Sequence, residues 1–233
     1  MKYIYLFLLS FLTIFDARAQ SPGNNFPEHD AGYSRGLQDG LTVFEYINDF
    51  TGFTGKHFFA MASIGEVDLA NGEVIHGINL RYDQYLGELL WLRHVDYKAG
   101  ILPRKEITGF RLYPGADRQS LITFEKMDVD LPLVRGADAF VQVLVPGNPR
   151  LCVFRRSEIS KEDNRKFVEE QYYFIESNGK KFALNLKKRS LLSIPVIDSK
   201  VMKGILRDYK LRVQNSEPAM IHAIINYNEK RDN

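Results

Sequence analysis

Glu66-Val67-Asp68-Leu69-Ala70-Asn71-Gly72-Glu73-Val74-Ile75-His76-Gly77-Ile78-Asn79-Leu80-Arg81-Tyr82 decides the fold class. Asn71-Gly72 is the dipeptide that most readily supplies two successive positive-φ residues, the requirement of a two-residue hairpin turn. After it Val74, His76, Ile78, Leu80 and Tyr82 alternate with Glu73, Ile75, Gly77, Asn79 and Arg81. Period two with one greasier face predicts an antiparallel strand packed on one side.

The same rhythm runs on through Glu88–Val95, Ile107–Tyr113, Leu121–Lys126, Ala139–Val145 and Leu151–Arg156, with Pro146-Gly147-Asn148 as a turn joining the last two. Gln171–Ile175 and Lys181–Leu186 flank Ser177-Asn178-Gly179, a second tight-turn signal. Met127–Gly136, with two Asp and a Pro, reads as a long surface loop. About eight strands at this spacing predict a strongly bent antiparallel sheet or partly open barrel, because flat sheets of that size are unusual.

After Leu192 the period changes to that of a helix. Asp198 caps a segment with Val201, Met202, Ile205 and Leu206 on one stripe, and Ser216 caps another with Met220, Ile221, Ile224 and Ile225. Pro218 is tolerated there because first-turn amides have no intrahelical partner. Each stripe needs burial, so a C-terminal helical pair over about 197–229 is expected to close the sheet. The fold class is mainly β or α+β, with residues 56–233 forming one domain.

Upstream, Lys2, the apolar stretch Tyr3–Phe15 and Ala17-Arg18-Ala19 read as a removable secretory signal over residues 1–19. The apolar stretch is too short for the roughly twenty residues a spanning helix needs, so no transmembrane segment is expected after cleavage. Residues 20–55 read as a lead-in with a short helix as one option, since Leu37, Leu41, Phe44 and Ile47 have helical spacing while Gly36 and Gly40 oppose it. The expected location is the periplasm or the inner face of the outer membrane, with secretion as an alternative.

Cys152 is the only cysteine, so no intramolecular disulfide exists and the fold must stand on its core, for which 45% hydrophobic residues are adequate. Loss of Lys2, Arg18 and Asp16 with the signal takes the formal charge from +2 to about +1. That balance argues against a nucleic-acid partner, and Lys180, Lys181, Lys187, Lys188 and Arg189 read as a solvated strand end.

Catalytic motifs are sparse. Met61-Ala62-Ser63-Ile64-Gly65 matches only the second half of a nucleophile elbow. Glu28-His29-Asp30 is too local to converge on one ion, and no metal or cofactor is expected. His76 and His94 read as hydrogen-bonded structural imidazoles. Asp83, Asp128 and Asp130 are candidates to pair with Glu88, and Cys152 sits in an apolar run as a core residue. The best functional lead is aromatic: Tyr82, Tyr85, Trp91, Tyr172 and Phe174 are the candidate lining of an apolar ligand cavity in a bent sheet, against the alternative that they fill the core.

Leu80-Arg81-Tyr82-Asp83, Ile107-Thr108-Gly109-Phe110, Val143-Leu144-Val145-Pro146-Gly147, Leu186-Lys187-Lys188-Arg189-Ser190-Leu191-Leu192 and Ile224-Ile225-Asn226-Tyr227-Asn228 resemble a family of uncharacterised exported proteins of Bacteroidota-type Gram-negative bacteria. The resemblance implies export and a β-rich body with a helical C-terminus, and brings no activity or site residue. The function expected is a non-enzymatic envelope protein, a binding or interaction module for an envelope protein. The alternatives are an apolar small-molecule or lipid-binding sheet and an unrecognised hydrolase.

Overall fold

The structure, a computed structural model, describes residues 43–47, 50–93, 98–115, 121–131 and 134–232. The signal-like stretch, Glu28-His29-Asp30 and His94 lie outside them. Among the described residues, eleven strands form one antiparallel sheet in the order β1-β5-β4-β3-β2-β6-β7-β8-β9-β10-β11. They are β1 Phe44–Glu45, β2 Ser63–Leu69, β3 Val74–Asp83, β4 Glu88–Leu92, β5 Ala99–Ile101, β6 Ile107–Tyr113, β7 Ile122–Leu131, β8 Val134–Val145, β9 Arg150–Ile159, β10 Phe167–Ser177 and β11 Lys180–Leu184. Three helices follow, α1 Lys188–Leu192, α2 Ser199–Asp208 and α3 Glu217–Asp232.

The expectation of about eight strands is corrected to eleven. Two additions, β1 and β5, are too short to show a period, and they pair with each other, so Phe44–Glu45 is strand rather than helix. The stretch read as a loop is also strand, but it lengthens two expected strands rather than adding one. Met127, Val129 and Leu131 continue β7 beyond an irregularity in the ladder, and Val134 begins β8 three residues later. That break in register hides the alternation from a sequence reading.

The quoted hairpin is also corrected in detail. Gly72 has φ +89° but Asn71 does not have a positive φ, and the loop closes as Leu69 N–H to Glu73 O and Gly72 N–H to Leu69 O. Asn71 instead accepts the Glu73 amide on its side chain. At Ser177-Asn178-Gly179 both Asn178 and Gly179 do take positive φ, as a two-residue turn requires. Within β3, Gly77 bulges between the Gly65–Ile78 and Glu66–His76 pairs. One extra residue flips the faces, so Ile75 joins the core beside Val67 while His76 turns outward to Glu66, 3.0 Å from Nδ1 to Oε1.

The sheet is strongly bent but not closed. Tyr82 on β3 and Phe140 on β8 are four strands apart, about 19 Å along a flat sheet, yet their ring centroids lie 5.9 Å apart. Tyr82, Phe110, Phe124 and Phe140 therefore form the axis of a curled half, with Phe110 and Phe124 stacked at 4.6 Å. Further along the same face the curl relaxes and the helices take over. Leu151, Ile175 and Leu184 pack beneath Met202, Ile205, Met220 and Ile224. The reverse face of β7–β10 buries Val141, Cys152 and Phe174.

The expected helical pair is present, with α1 as a third helix. Asp198 accepts the Lys200 and Val201 amides, and Ser216 Oγ accepts the Ala219 amide. The Tyr227 hydroxyl on α3 accepts the Asp198 amide at 2.8 Å, locking the two helices together. They cover the β8–β11 end and leave the sheet's two edges, β1 and β11, unjoined.

Candidate functional site

The gap left by the incomplete curl is bridged by an irregular strap, residues 50–59. A turn from Phe50 to Phe53 brings Thr54 against β10, where its amide donates to Arg165 O and its carbonyl accepts from Phe167 N. Gly55 then passes so close to β10 that a Cβ would lie 2.4 Å from Phe167 O, and its φ of +83° suits only glycine. Beyond it His57 O accepts from Gln84 N, and Phe59 N donates to Tyr82 O. Ser157 on β9 fastens the middle, its hydroxyl donating to Lys56 O at 2.9 Å.

Under the strap lies Asp83, the last residue of β3 and fully buried. Its Oδ1 accepts the Tyr85 and Leu86 amides at 2.9 and 3.0 Å, which shapes the turn into β4. Its Oδ2 accepts the Tyr46 hydroxyl at 2.9 Å and stands 4.0 Å from His57 Nε2. Arg81, two residues back on the same face, lies 3.5 Å over the Phe58 ring. Burial chiefly, with Asp83 adding to it, pushes the Tyr46 phenol well above its ordinary range. Burial also lowers His57, against the opposing pull of Asp83 and with help from Arg81. His57 is therefore neutral at pH 7, and its buried Nε2 has no hydrogen-bond partner.

Around His57 the rings close in, with Phe58, Phe167 and Phe50 at centroid distances of 4.0, 4.9 and 5.2 Å. Tyr85 adds an edge contact to Phe50 at 5.3 Å and to Phe167 at 5.2 Å and remains 36% exposed. The arrangement is an aromatic enclosure over buried Asp83 and half-buried His57, Tyr46 and Arg81, with one polar ring held in an apolar wall.

The candidate carboxylates divide. Asp83 and Glu88 face each other in register across β3 and β4, and Glu88 is pushed up by burial, with Arg104 opposing and Asp83 adding. Arg104 donates to Gly87 O at 2.5 Å and to Glu88 at 3.3 Å, so the turn is gripped from both ends. Asp128 and Asp130 lie elsewhere, toward the far end of the β7–β8 hairpin, where Asp128 accepts the Asp138 amide. Ser63 opens strand β2 rather than an elbow. Cys152 is buried, and its thiol is pushed up to about 12 by burial, with Arg150 opposing.

The five candidate lining aromatics go to three places. Tyr82 and Trp91 belong to the curled core, and Phe174 and Tyr172 to the cluster on the reverse face, where the Tyr172 hydroxyl donates to Glu170. Tyr85 alone joins the strap. Sequence reading singled out Asp83, Glu88 and Tyr85 but not His57 or Tyr46. The density of Phe50, Phe53, Phe58 and Phe59 around His57 was the available signal.

Among the described residues no group of three or more His, Cys, Asp or Glu side chains gathers as a metal site, and no helix is long and apolar enough to cross a membrane. Compared with protein-family models, curated proteins and solved structures, the chain matches none.

Proposed function

We propose that this chain is a non-enzymatic binding module of the cell envelope, exported by residues 1–19 and presenting the strap face to its partner. The observation that carries the reading is how the polar groups of the cluster are engaged. Asp83 is committed to two turn amides and Tyr46, and Ser157 Oγ to the strap backbone. These are ties that hold a surface in shape. That surface offers Tyr85 and Leu86, at 36% and 41% exposure, beside half-buried Phe50 and Phe53. A small apolar patch on a rigid support suits an interaction site. The signal-like N-terminus and the resemblance to exported proteins support the envelope location.

Two measurements test it. Expressed in a Gram-negative host, the chain should be recovered from the envelope fractions with Gln20 as its first residue, and a species starting at Met1 in the cytoplasm would refute export. Chromogenic ester and glycoside substrates should not be turned over; turnover that disappears in His57→Gln would make the cluster catalytic and overturn the binding reading. An apolar-ligand site is favoured by one observation, the exposed edge of Tyr85 against Phe50 and Phe167. It predicts that a fluorescent apolar dye binds the native protein and that Tyr85→Ala releases it.

A further inference from the structure

Charge is unevenly distributed along the chain. Residues 180–212 hold ten Lys and Arg against two Asp, a net of +8, whereas the whole protein carries only +2, so all the rest sums to −6. The tertiary structure concentrates this excess on the helical layer. Helix α2 turns Met202, Ile205 and Leu206 into the core, which leaves Lys200, Lys203 and Arg207 as an exposed stripe on its opposite side. Exposed Lys187, Lys188 and Arg189 precede it around α1, and exposed Lys210 and Arg212 follow it.

Both acids in the segment are already engaged. Asp198 caps α2 through the Lys200 and Val201 amides, and Asp208 pairs with Arg207 at 3.1 Å and Lys230 at 3.8 Å. Lys187, Lys188, Arg189, Lys200, Lys203 and Lys210 enter no salt bridge among the described residues. Next to the stripe stands Tyr209, 54% exposed at the end of α2.

We propose that this face is an electrostatic docking surface for an anionic phospholipid bilayer. The partner class follows from the chemistry of the patch together with the export reading, on which this inference rests. A cationic stripe on an exposed helix, with its apolar side already used in the core, adheres to anionic headgroups without inserting, and one amphipathic tyrosine suits the headgroup level. Single-stranded nucleic acid sites instead interleave several stacking aromatics with their cations, and here one exposed ring accompanies the stripe. Docking through α2 leaves the strap, on the curled half of the sheet, free for its own partner.

The test uses the purified full chain and vesicles of phosphatidylcholine with and without about a third phosphatidylglycerol. Co-sedimentation with anionic but not neutral vesicles is expected, with loss as NaCl is raised toward about 1 M, where the screening length falls to about 3 Å. Each basic group near such a surface contributes about a fivefold factor. Lys200→Gln, Lys203→Gln and Arg207→Gln together should therefore weaken binding on the order of 100-fold. Replacing exposed Lys105, Lys161 and Arg165, away from the helical layer, should change it less than about threefold. Circular dichroism of both triple variants checks that the fold is kept.

Comparison with the parent cancels any contribution of residues 1–42, which all variants share. Equal binding to both vesicle types, an unaffected α2 variant, or preferential retention by a duplex or single-stranded oligonucleotide would overturn the proposal. Because the assay uses purified protein, a failed export experiment leaves its outcome readable, and the two readings fail separately.

Discussion

Replacing Asp83 with alanine tests the structural role of the cluster most directly. Its carboxylate is fully buried and accepts three hydrogen bonds, two from the amides that start the β3–β4 turn and one from Tyr46. Hydrogen bonds to a charged group contribute about 1.5–3 kcal/mol each, and donors left unsatisfied on truncation cost more than the net bond. Water can reach the partly buried turn amides, so the three do not add in full. The expected loss is about 3–5 kcal/mol, a large share of the roughly 5–15 kcal/mol available to a domain. Asp83→Asn keeps an acceptor for the turn and should lose about 1–2 kcal/mol, mainly at Tyr46. Tyr46→Phe should lose a similar amount. In a double-mutant cycle the Asp83→Ala and Tyr46→Phe losses should fall short of additivity by about 1 kcal/mol, since both remove the same bond. Urea unfolding followed by far-UV circular dichroism measures each midpoint and slope. If Asp83→Ala unfolds within about 0.5 kcal/mol of the parent, or if the pair is additive, the β3–β4 turn and Tyr46 are not held by this carboxylate and the reasoning fails.

Three further outcomes follow from the same geometry. Burial lowers His57 below its unfolded value of about 6.5, so its share of stability is complete above that pH and is lost as pH falls toward the folded value; exchange protection at Gln84 N–H should drop by at most about tenfold per pH unit there, and His57→Phe should abolish that dependence. Gly55→Ala puts a methyl 2.4 Å from Phe167 O, whereas Gly52, at the same φ of +83°, has nothing within 4 Å; Gly55→Ala should lower the melting temperature clearly more than Gly52→Ala, and equal shifts would show that the strap is not pressed on β10. The Cys152 thiol, fully buried and pushed up to about 12, should resist thiol reagents at pH 8 until the protein is unfolded; rapid labelling of the native state would place it at the surface.

Much of this fold is legible in local chemistry. The boundaries of β6, the Asn178-Gly179 turn and the Asp198 and Ser216 caps follow from nearest-neighbour preferences that act within a few residues. Failures occur where a ladder is interrupted. Gly77 reverses the faces of Val74–His76, and an irregularity after Met127 disguises the rest of β7 as loop. Neither break has a periodic signature, because its effect is to change phase. The candidate site is less legible still. Asp83 and Glu88 are five residues apart and share a hairpin, so their pairing is local. Tyr46 and His57 reach Asp83 from a segment that precedes it by 37 and 26 residues.

Composition, alternation and caps alone determine a disulfide-free, antiparallel β body with C-terminal helices, and an excess of cations in residues 180–212. Those features depend on side-chain size, backbone preference and charge, which each residue carries wherever it sits. The curl that brings Tyr82 to Phe140 and the strap that bridges its gap are decided only in three dimensions. Contacts between strands four apart depend on the accumulated twist and bulges of every strand between them, and no short window of sequence contains that sum.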